Sequence, residues 1–547
     1  MNSTIAADKT KTAAVMFVFA AALVFHLPAL SGGFVWDDLN LHLGASNYPS
    51  FFEARFDRPL FDLSMALDHS VWGERAAGFH LTNILLHAAA SAIVFALALS
   101  LLADLPAAAL AALLFALHPA HTEPVAWVSA RPEMLMAVFF VPAFMLYGRF
   151  VRTGRREALL LSCLLFLLSL MGRQGAMVFV GLTLAYPLSW APDADGRKRA
   201  FFSAGLYALI SGAYYLYAGA RGELSAAGHF DPYALFSGLW YYMGKLAVPT
   251  GLNFMPSLNL SPIYAMLALS GLAAIGILYS EGRKKEAFLA SWVVITLLPA
   301  LFLAGSGNES RLGERYLYLP SVGFCLLLAS LVRTAASGKK ALAFMVPVLL
   351  LYAWGTFDRA RLWGDDVAIW RDTAAKSPQS VSARLNLGAK LLEKGLPDEG
   401  KRQLALALRN DGITDDDMLR ALRLLESSGA RDAEELVLRS LAATRGSAPA
   451  YYGLGFMYYS RRDGDRPAFL GRAIEYLEKS VSVSPSFMRP HYYLGLSYLE
   501  AGDYEKAEKH LVLAKDLDVD GQYLAQTRSF LSFIRKARDM GGSEEKT

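Results

Sequence analysis

The sequence predicts a polytopic all-α membrane domain followed by an α-helical solenoid. Three observations carry that fold class. The chain of 547 residues is 54% hydrophobic with a mean hydropathy of +0.30, high for a soluble protein. Its apolar runs gather before about Phe357, after which Arg, Glu and Asp become frequent. From Pro378 a spacing of about 34 residues sets in, the period of stacked helix–turn–helix units. The expected layout is a membrane domain over 1–360, a linker over 361–377, a repeat domain over 378–535 and a polar tail over 536–547.

About eleven runs are long enough to span a bilayer: 12–30, 80–102, 106–120, 132–149, 157–171, 174–190, 200–219, 262–280, 286–304, 316–333 and 340–357. The first ends in Pro28, Leu30 and Ser31-Gly32-Gly33 without an Ala-x-Ala site, so it reads as an uncleaved helix. The aromatic run 235–250 holds Lys245 and Pro249 and reads as re-entrant or interfacial. Five basic clusters decide this: Lys9/Lys11, Arg149–Arg156, Arg197–Arg199, Arg283–Lys285 and Arg333–Lys340. With eleven spans all five fall on one side, the cytoplasm by the positive-inside rule. The N-terminus is then cytoplasmic, and the repeats share the outer side with the loop after the first span. The expected location is a bacterial inner membrane with periplasmic repeats, lumenal in a eukaryote.

Net charge is only +4, which gives a nucleic-acid partner no support. Cys163 and Cys325 each sit in an apolar run and read as packing residues.

The outer segments hold the unusual chemistry. Gly33-Phe-Val-Trp-Asp37-Asp38 puts two carboxylates where the first span meets water, a costly placement that marks a candidate site. The loop continues to Phe79 with Arg55, Asp57, Arg58, Asp62, Asp68, His69 and Glu74 among Phe, Trp and Pro. The next outer segment runs from His118 to Glu133 and includes His121, Glu123, Trp127 and Arg131. Then come Arg173-Gln174; the stretch 221–233 with Glu223, His229 and Asp231; and Asn308 to Pro320 with Arg311 and Arg315.

In the polar half the clearest unit is Pro490-His-Tyr-Tyr-Leu-Gly495, with Gly502, Asp503, Tyr504, Ala507 and Ala514. One unit earlier stand Gly455, Tyr458, Ala473, Ser480 and Pro485, and a first unit holds Leu387-Gly388, Gly395 and Ala407. A weaker unit contains Gly429, Ala433 and Ser440. Small residues let paired helices approach, and the units read as tetratricopeptide-like repeats that bind a protein or peptide.

Three motifs and the repeat tail resemble one family. They are His118-Pro-Ala-His-Thr-Glu-Pro-Val-Ala-Trp-Val-Ser-Ala-Arg131, Phe34-Val-Trp-Asp-Asp38 and Glu314-Arg-Tyr-Leu-Tyr-Leu-Pro-Ser-Val-Gly-Phe324. In order, they are similar to segments of the transmembrane and tetratricopeptide-repeat containing O-mannosyltransferases. That resemblance implies the GT-C fold, a polyprenyl-phosphate-linked sugar donor (commonly mannose), an extracytoplasmic active site and a protein Ser or Thr acceptor. One departure is Arg173-Gln174, where relatives carry a Lys-Glu-like pair.

Such a transfer needs a base for the acceptor hydroxyl and a holder for the departing phosphate. Asp37 is the expected base and Asp38 its orienting partner or alternative; the competing reading is a helix cap. Arg315, Arg311, Arg173 and Arg131 are the candidate phosphate clamps, because a planar guanidinium matches phosphate oxygens; the competing role is snorkelling to headgroups. His118, His121 and Glu123 are expected to shape the pocket. Their spacing binds a divalent metal only in a broken helix, and the chemistry requires no cofactor. A rival function is a membrane-anchored repeat scaffold without catalysis. A transporter fits less well, since its charges belong at mid-membrane.

Overall fold

The computed structural model describes residues 2–544 except 39–57, 191–192, 221–230, 257, 259–260, 306–311, 336–338, 411–412, 428–437, 440–441, 443–445, 462–464, 519–520 and 522. Among the described residues every regular element is helical. The chain divides into two compact units, Met1–Ser377 and Pro378–Thr547.

The first unit runs through α1 (Asn2–His26), α2 (Pro59–Trp72), α3 (Ala76–Leu102), α4 (Leu105–Ala116), α5 (Thr122–Ala126), α6 (Arg131–Thr153), α7 (Arg156–Gly172) and α8 (Phe179–Trp190). It continues with α9 (Ala194–Ala220), α10 (Pro232–Ala247), α11 (Pro262–Ser280), α12 (Lys284–Gly305), α13 (Tyr318–Ala335), α14 (Lys339–Leu362) and α15 (Asp366–Lys376). Proline opens α2, α4, α6, α10 and α11, where its missing N–H costs nothing and its fixed φ suits the first turn. The centre is built from α1 on α3 and α4, α6 on α3 and α7, and α13 on α4 and α12. Gly323 shows how closely α13 meets α12. A Cβ there would come within 2.6 Å of the Trp292 ring, whose indole N–H donates to the Leu319 carbonyl at 3.1 Å.

Among the described residues, seven helices are long and apolar enough to cross a membrane, or eight if α4 and Pro119–Ala126, bent by 48°, form one span. The apolar runs suggested about eleven, and the difference lies in α7–α9. α7 has 17 residues. α8 has 12, preceded by the 3-10 turn Gln174–Val178. α9 has 27 residues, but opens on Asp195, Arg197, Lys198 and Arg199 and carries Tyr207, Tyr214, Tyr215 and Tyr217. The stretch 361–377, expected as a linker, holds the end of α14 and the helix α15, whose Trp370 is fully buried. Its apolar face makes it part of the first unit.

The second unit stacks helix pairs. α16 (Val381–Glu393) packs on α17 (Pro397–Leu408), α19 (Ala448–Ser460) on α20 (Arg466–Val483), and α21 (Met488–Glu500) on α22 (Tyr504–Leu517). α18 (Asp415–Ser427) lies between the first two pairs, and α23 (Leu524–Glu544) packs on α22, running through the expected polar tail. Each pair closes the same way. Gly388 receives Leu404, Gly455 receives Leu477 and Gly495 receives Leu511; all three leucines are fully buried. Gly395 and Gly502 make the turns within pairs at φ 74° and 80°, a conformation that side chains with a Cβ rarely adopt. The weaker unit at Gly429, Ala433 and Ser440 lies outside the described residues.

Candidate active site

Between α4 and α6 the chain cannot stay helical, because Pro119 and Pro124 interrupt its hydrogen-bond ladder. It breaks into a 3-10 turn (Pro119–His121), the short α5 and a second 3-10 turn (Val128–Ala130). These turns aim Glu123, Trp127 and Ser129 in different directions. After α1, Leu27–Ser31 is also 3-10, Gly32 is extended and 33–35 has no regular structure. Trp36 then turns the chain with a φ of 51°, unusual for a residue with a bulky side chain.

That turn delivers the acidic pair to Ser129. Asp38 is 1% exposed and accepts from the backbone N–H groups of Ser129 at 2.8 Å and Val35 at 3.2 Å. The Ser129 hydroxyl donates to the same carboxylate. Burial pushes Asp38 up to about 7, against the pull of these hydrogen bonds. Asp37 is half-buried, and its Oδ1 accepts from the Trp127 indole N–H at 3.2 Å. Burial raises its carboxyl above the ordinary range, while Ser129, the charge of Arg58 and Trp127 pull it down.

Trp127 also carries a cation. The Arg315 guanidinium lies 5.2 Å from its ring centre and 4.7 Å from that of Tyr316, within cation–π range. Arg315 is 8% exposed, and its Nη1 donates to Glu123 at 2.7 Å. The other Glu123 oxygen accepts from the backbone N–H groups of Glu314 at 2.9 Å and Arg315 at 3.2 Å. Gly313 leaves room for this pair; a Cβ there would strike the guanidinium and stand 3.0 Å from Glu123. Arg173 covers the same Tyr316 ring at 5.1 Å and pairs with buried Glu133 at 3.0 Å. The departure from the family pattern thus falls beside Arg315.

A second layer backs the first. Glu314 is buried and accepts from the Asn253 backbone N–H at 2.6 Å, the Tyr241 hydroxyl at 3.0 Å and Arg359 at 3.3 Å. Trp36, Trp127, Phe254, Trp363 and Trp370 pack edge-on, tilted or stacked, with ring centres 5.0–6.4 Å apart. Lys245 closes the end of α10 through the carbonyls of Thr250 at 2.7 Å and Gly251 at 3.0 Å. Trp240 is 40% exposed and stacks on Tyr264.

The expected residues therefore sort into two groups. Asp37, Asp38, Arg315, Arg173 and Glu123 come together around Trp127 and Tyr316. Arg131 lies apart from them: it is fully buried and donates to Asp68 at 2.6 Å, Asn83 at 2.6 Å, Ser64 at 3.1 Å and the Phe79 carbonyl at 3.1 Å. His118 and His121 are fully buried as well. His118 Nε2 donates to the Leu246 carbonyl at 3.1 Å, and His121 Nδ1 to that of Phe115 at 2.8 Å. Among the described residues no group of three or more His, Cys, Asp and Glu is placed to hold a metal ion. Arg311, with Arg55, Asp57, Glu223 and His229, lies outside the described residues. Sequence reasoning passed over Ser129, Trp127, Glu133 and Tyr316 as site residues. All four lie inside the segments it singled out, and the signal was a hydroxyl and an indole just ahead of a proline-opened helix.

No family model matches the chain. It is similar to curated proteins named protein O-mannosyl-transferase. With F38B6.6 of Caenorhabditis elegans it is 23% identical over 441 residues, 73% of this chain and 62% of that protein. With TMTC4 of Mus musculus it is 26% identical over 428 residues, 64% and 56% respectively. With Tmtc1 of Drosophila melanogaster it is 32% identical over 177 residues, 29% and 21%. The chain thus spans about six-tenths of the length of the first two relatives. The resemblance expected from the motifs is borne out by these names. Among solved structures, MamA is 23% identical, with 29% of this chain and 91% of that chain covered and a TM-score of 0.23. A second, titled YrrB, "a TPR protein with an unusual peptide-binding site", is 16% identical, with 35% and 89% covered and a TM-score of 0.23. Scores this low carry no argument, and the repeat fold rests on the helix pairs themselves.

Proposed function

We propose that this chain is a membrane glycosyltransferase that moves a sugar, mannose favoured, from a polyprenyl phosphate to a Ser or Thr hydroxyl of an extracytoplasmic protein. The repeats would recruit that protein. Asp37 takes the acceptor proton as the acceptor oxygen attacks the anomeric carbon from the face opposite the phosphate. The bond from that carbon to the phosphate oxygen breaks, its electron pair leaves with the polyprenyl phosphate, and the anomeric configuration inverts. Arg315, with Arg173 beside it on Tyr316, balances the charge gathering on the phosphate.

One observation carries this reading. The acid and the cation are attached to one indole, Asp37 at its N–H edge and Arg315 on its face. Asp38 is saturated by three donors and buried, which suits it to hold the turn and leaves the more open Asp37 as the base. The relatives' names supply the sugar and the acceptor class. The charge clusters support an outer, periplasmic placing of the loop and repeats.

The test is turnover of a polyprenyl-phosphate mannose with a Ser/Thr-containing acceptor peptide by the purified chain. Asp37→Asn is expected to lower turnover by about 10²–10⁴-fold while the protein still retains donor. Full activity in both Asp37→Asn and Asp38→Asn removes the assignment.

A further inference from the structure

A cavity of about 830 Å³ opens along α14, away from the acidic pair. Its polarity is graded. Leu351 and Trp354, on its wall, are 65% and 68% exposed on a helix apolar enough to span, a surface suited to hydrocarbon. Arg361 lies ten positions further along the same helix, about 15 Å at 1.5 Å per residue. The cavity therefore runs from the lipid-facing side of α14 to a charged rim at the end of the span.

The rim holds cations in unequal states. Lys376 is engaged, donating to Asp372 at 2.6 Å and to the Leu252 carbonyl at 2.8 Å. Arg359 is 7% exposed and donates to the Leu252 carbonyl at 2.9 Å and to Glu314 at 3.3 Å; Asp372 stands 3.8 Å away. Its Nε is buried and meets no acceptor among the described residues. A buried donor without a partner is costly and calls for an explanation. Arg361 is exposed, rests 5.6 Å from the Phe357 ring centre and makes no ion pair among the described residues. The rim carboxylate Asp358 is itself exposed to water.

We propose that this cavity is a docking site for a polyprenyl phosphate, with the phosphate on Arg359 Nε and Arg361 and the isoprenoid chain along Leu351 and Trp354. An amphiphile with a small anionic head and a long branched tail matches both ends of the gradient. The proposal takes its lipid class from the transfer reading above. The site adjoins the reacting centre without including it: Leu252 forms its wall, while Phe254, two residues on, packs against Trp36 and Trp127 beside Asp37, and Arg359 reaches Glu314. It loads the carrier lipid from the bilayer.

The experiment uses the full chain in nanodiscs, titrated with unglycosylated polyprenyl phosphate and, separately, with phosphatidylglycerol, and read by native mass spectrometry. Arg361→Gln, at an exposed position, is expected to weaken polyprenyl phosphate binding by about tenfold or more, the worth of one charge-assisted hydrogen bond. Val248→Trp, which narrows the cavity from an exposed wall position, does the same, and Asp37→Asn binds as the wild type. In turnover, Arg361→Gln raises KM for the lipid donor and leaves kcat, whereas loss of Arg315 lowers kcat. Unchanged binding in both cavity variants overturns the site, as does phosphatidylglycerol binding as tightly as the polyprenyl phosphate. Transfer with an unmoved KM sinks the site and spares the enzyme. Selective binding without transfer from any lipid-phosphate sugar sinks the enzyme reading and spares the site.

Discussion

Asp37 reads the pH of the medium through its surroundings. Burial holds its carboxyl above the ordinary value of about 3.9, and Ser129 is the largest influence pulling it down. A base works ionised, so turnover falls as pH drops through that raised value. Ser129→Ala removes a donor to the carboxylate pair, and the acid limb of the kcat/KM profile is expected to move to higher pH. A profile unchanged in Ser129→Ala separates the acid limb from Asp37. Glu123 makes a different point. It neutralises a buried guanidinium and receives two backbone N–H groups, so Glu123→Ala strands all three. We expect a loss of about 3–5 kcal/mol of stability, seen as earlier thermal unfolding with the acidic pair unmutated. At this scale the sequence revealed charges standing beside spans, which is why Asp37 and Arg315 stood out. Ser129 and Trp127 did not, because a hydroxyl and an indole at a membrane rim are ordinary until their partners are known. Arg131 looked equally free, but Asp68, far off in sequence, takes its charge.

Among elements, the repeats were the most legible part. A period fixes which face recurs, and small residues opposite leucines need no partner information to be noticed. Gly495 illustrates the packing limit: a Cβ there would approach Leu511 Cγ to 2.5 Å. Gly495→Ala is expected to cost about 1–3 kcal/mol by overpacking. Hydrogen exchange in the full chain should speed up in α21 and α22 and leave α16 and α17 unaffected. The segment between α4 and α6 was legible only as irregular. Two prolines announce a break, but the direction in which each short turn throws its side chains follows from tertiary contacts. The same holds for α15: eleven residues of mixed polarity read as a linker until Trp370 finds Trp36 and Phe254.

For the whole molecule the span count decides sidedness. With only the eight candidate spans, Arg283–Lys285 and Arg333–Lys340 fall opposite Arg149–Arg156. An odd number of crossings among α7, α8 and α9 restores one basic face, and Arg197–Arg199 joins it when all three cross or when α9 alone does. At 17 residues α7 reaches about 25 Å, and 174–190 matches it, just within the lower range for a span. In intact cells, on a background lacking Cys163 and Cys325, Gln174→Cys should react with an impermeant maleimide, and Arg197→Cys only after permeabilisation. Labelling of both from outside refutes the eleven-span arrangement. Apolarity alone cannot decide it, since short or tyrosine-bearing helices lie at the boundary of what hydropathy separates.

Trp127 has one more consequence. Because a fused bicyclic ring is rigid and both groups rest on it, the spacing of the proton acceptor and the positive charge follows two non-covalent contacts, the indole hydrogen bond to Asp37 and the cation–π contact of Arg315. While both contacts last, the two reactive poles move with the ring when the bilayer thins or the bundle breathes. Any adjustment to a new substrate must then come from the substrate's own pose, and selectivity falls to the walls that orient it.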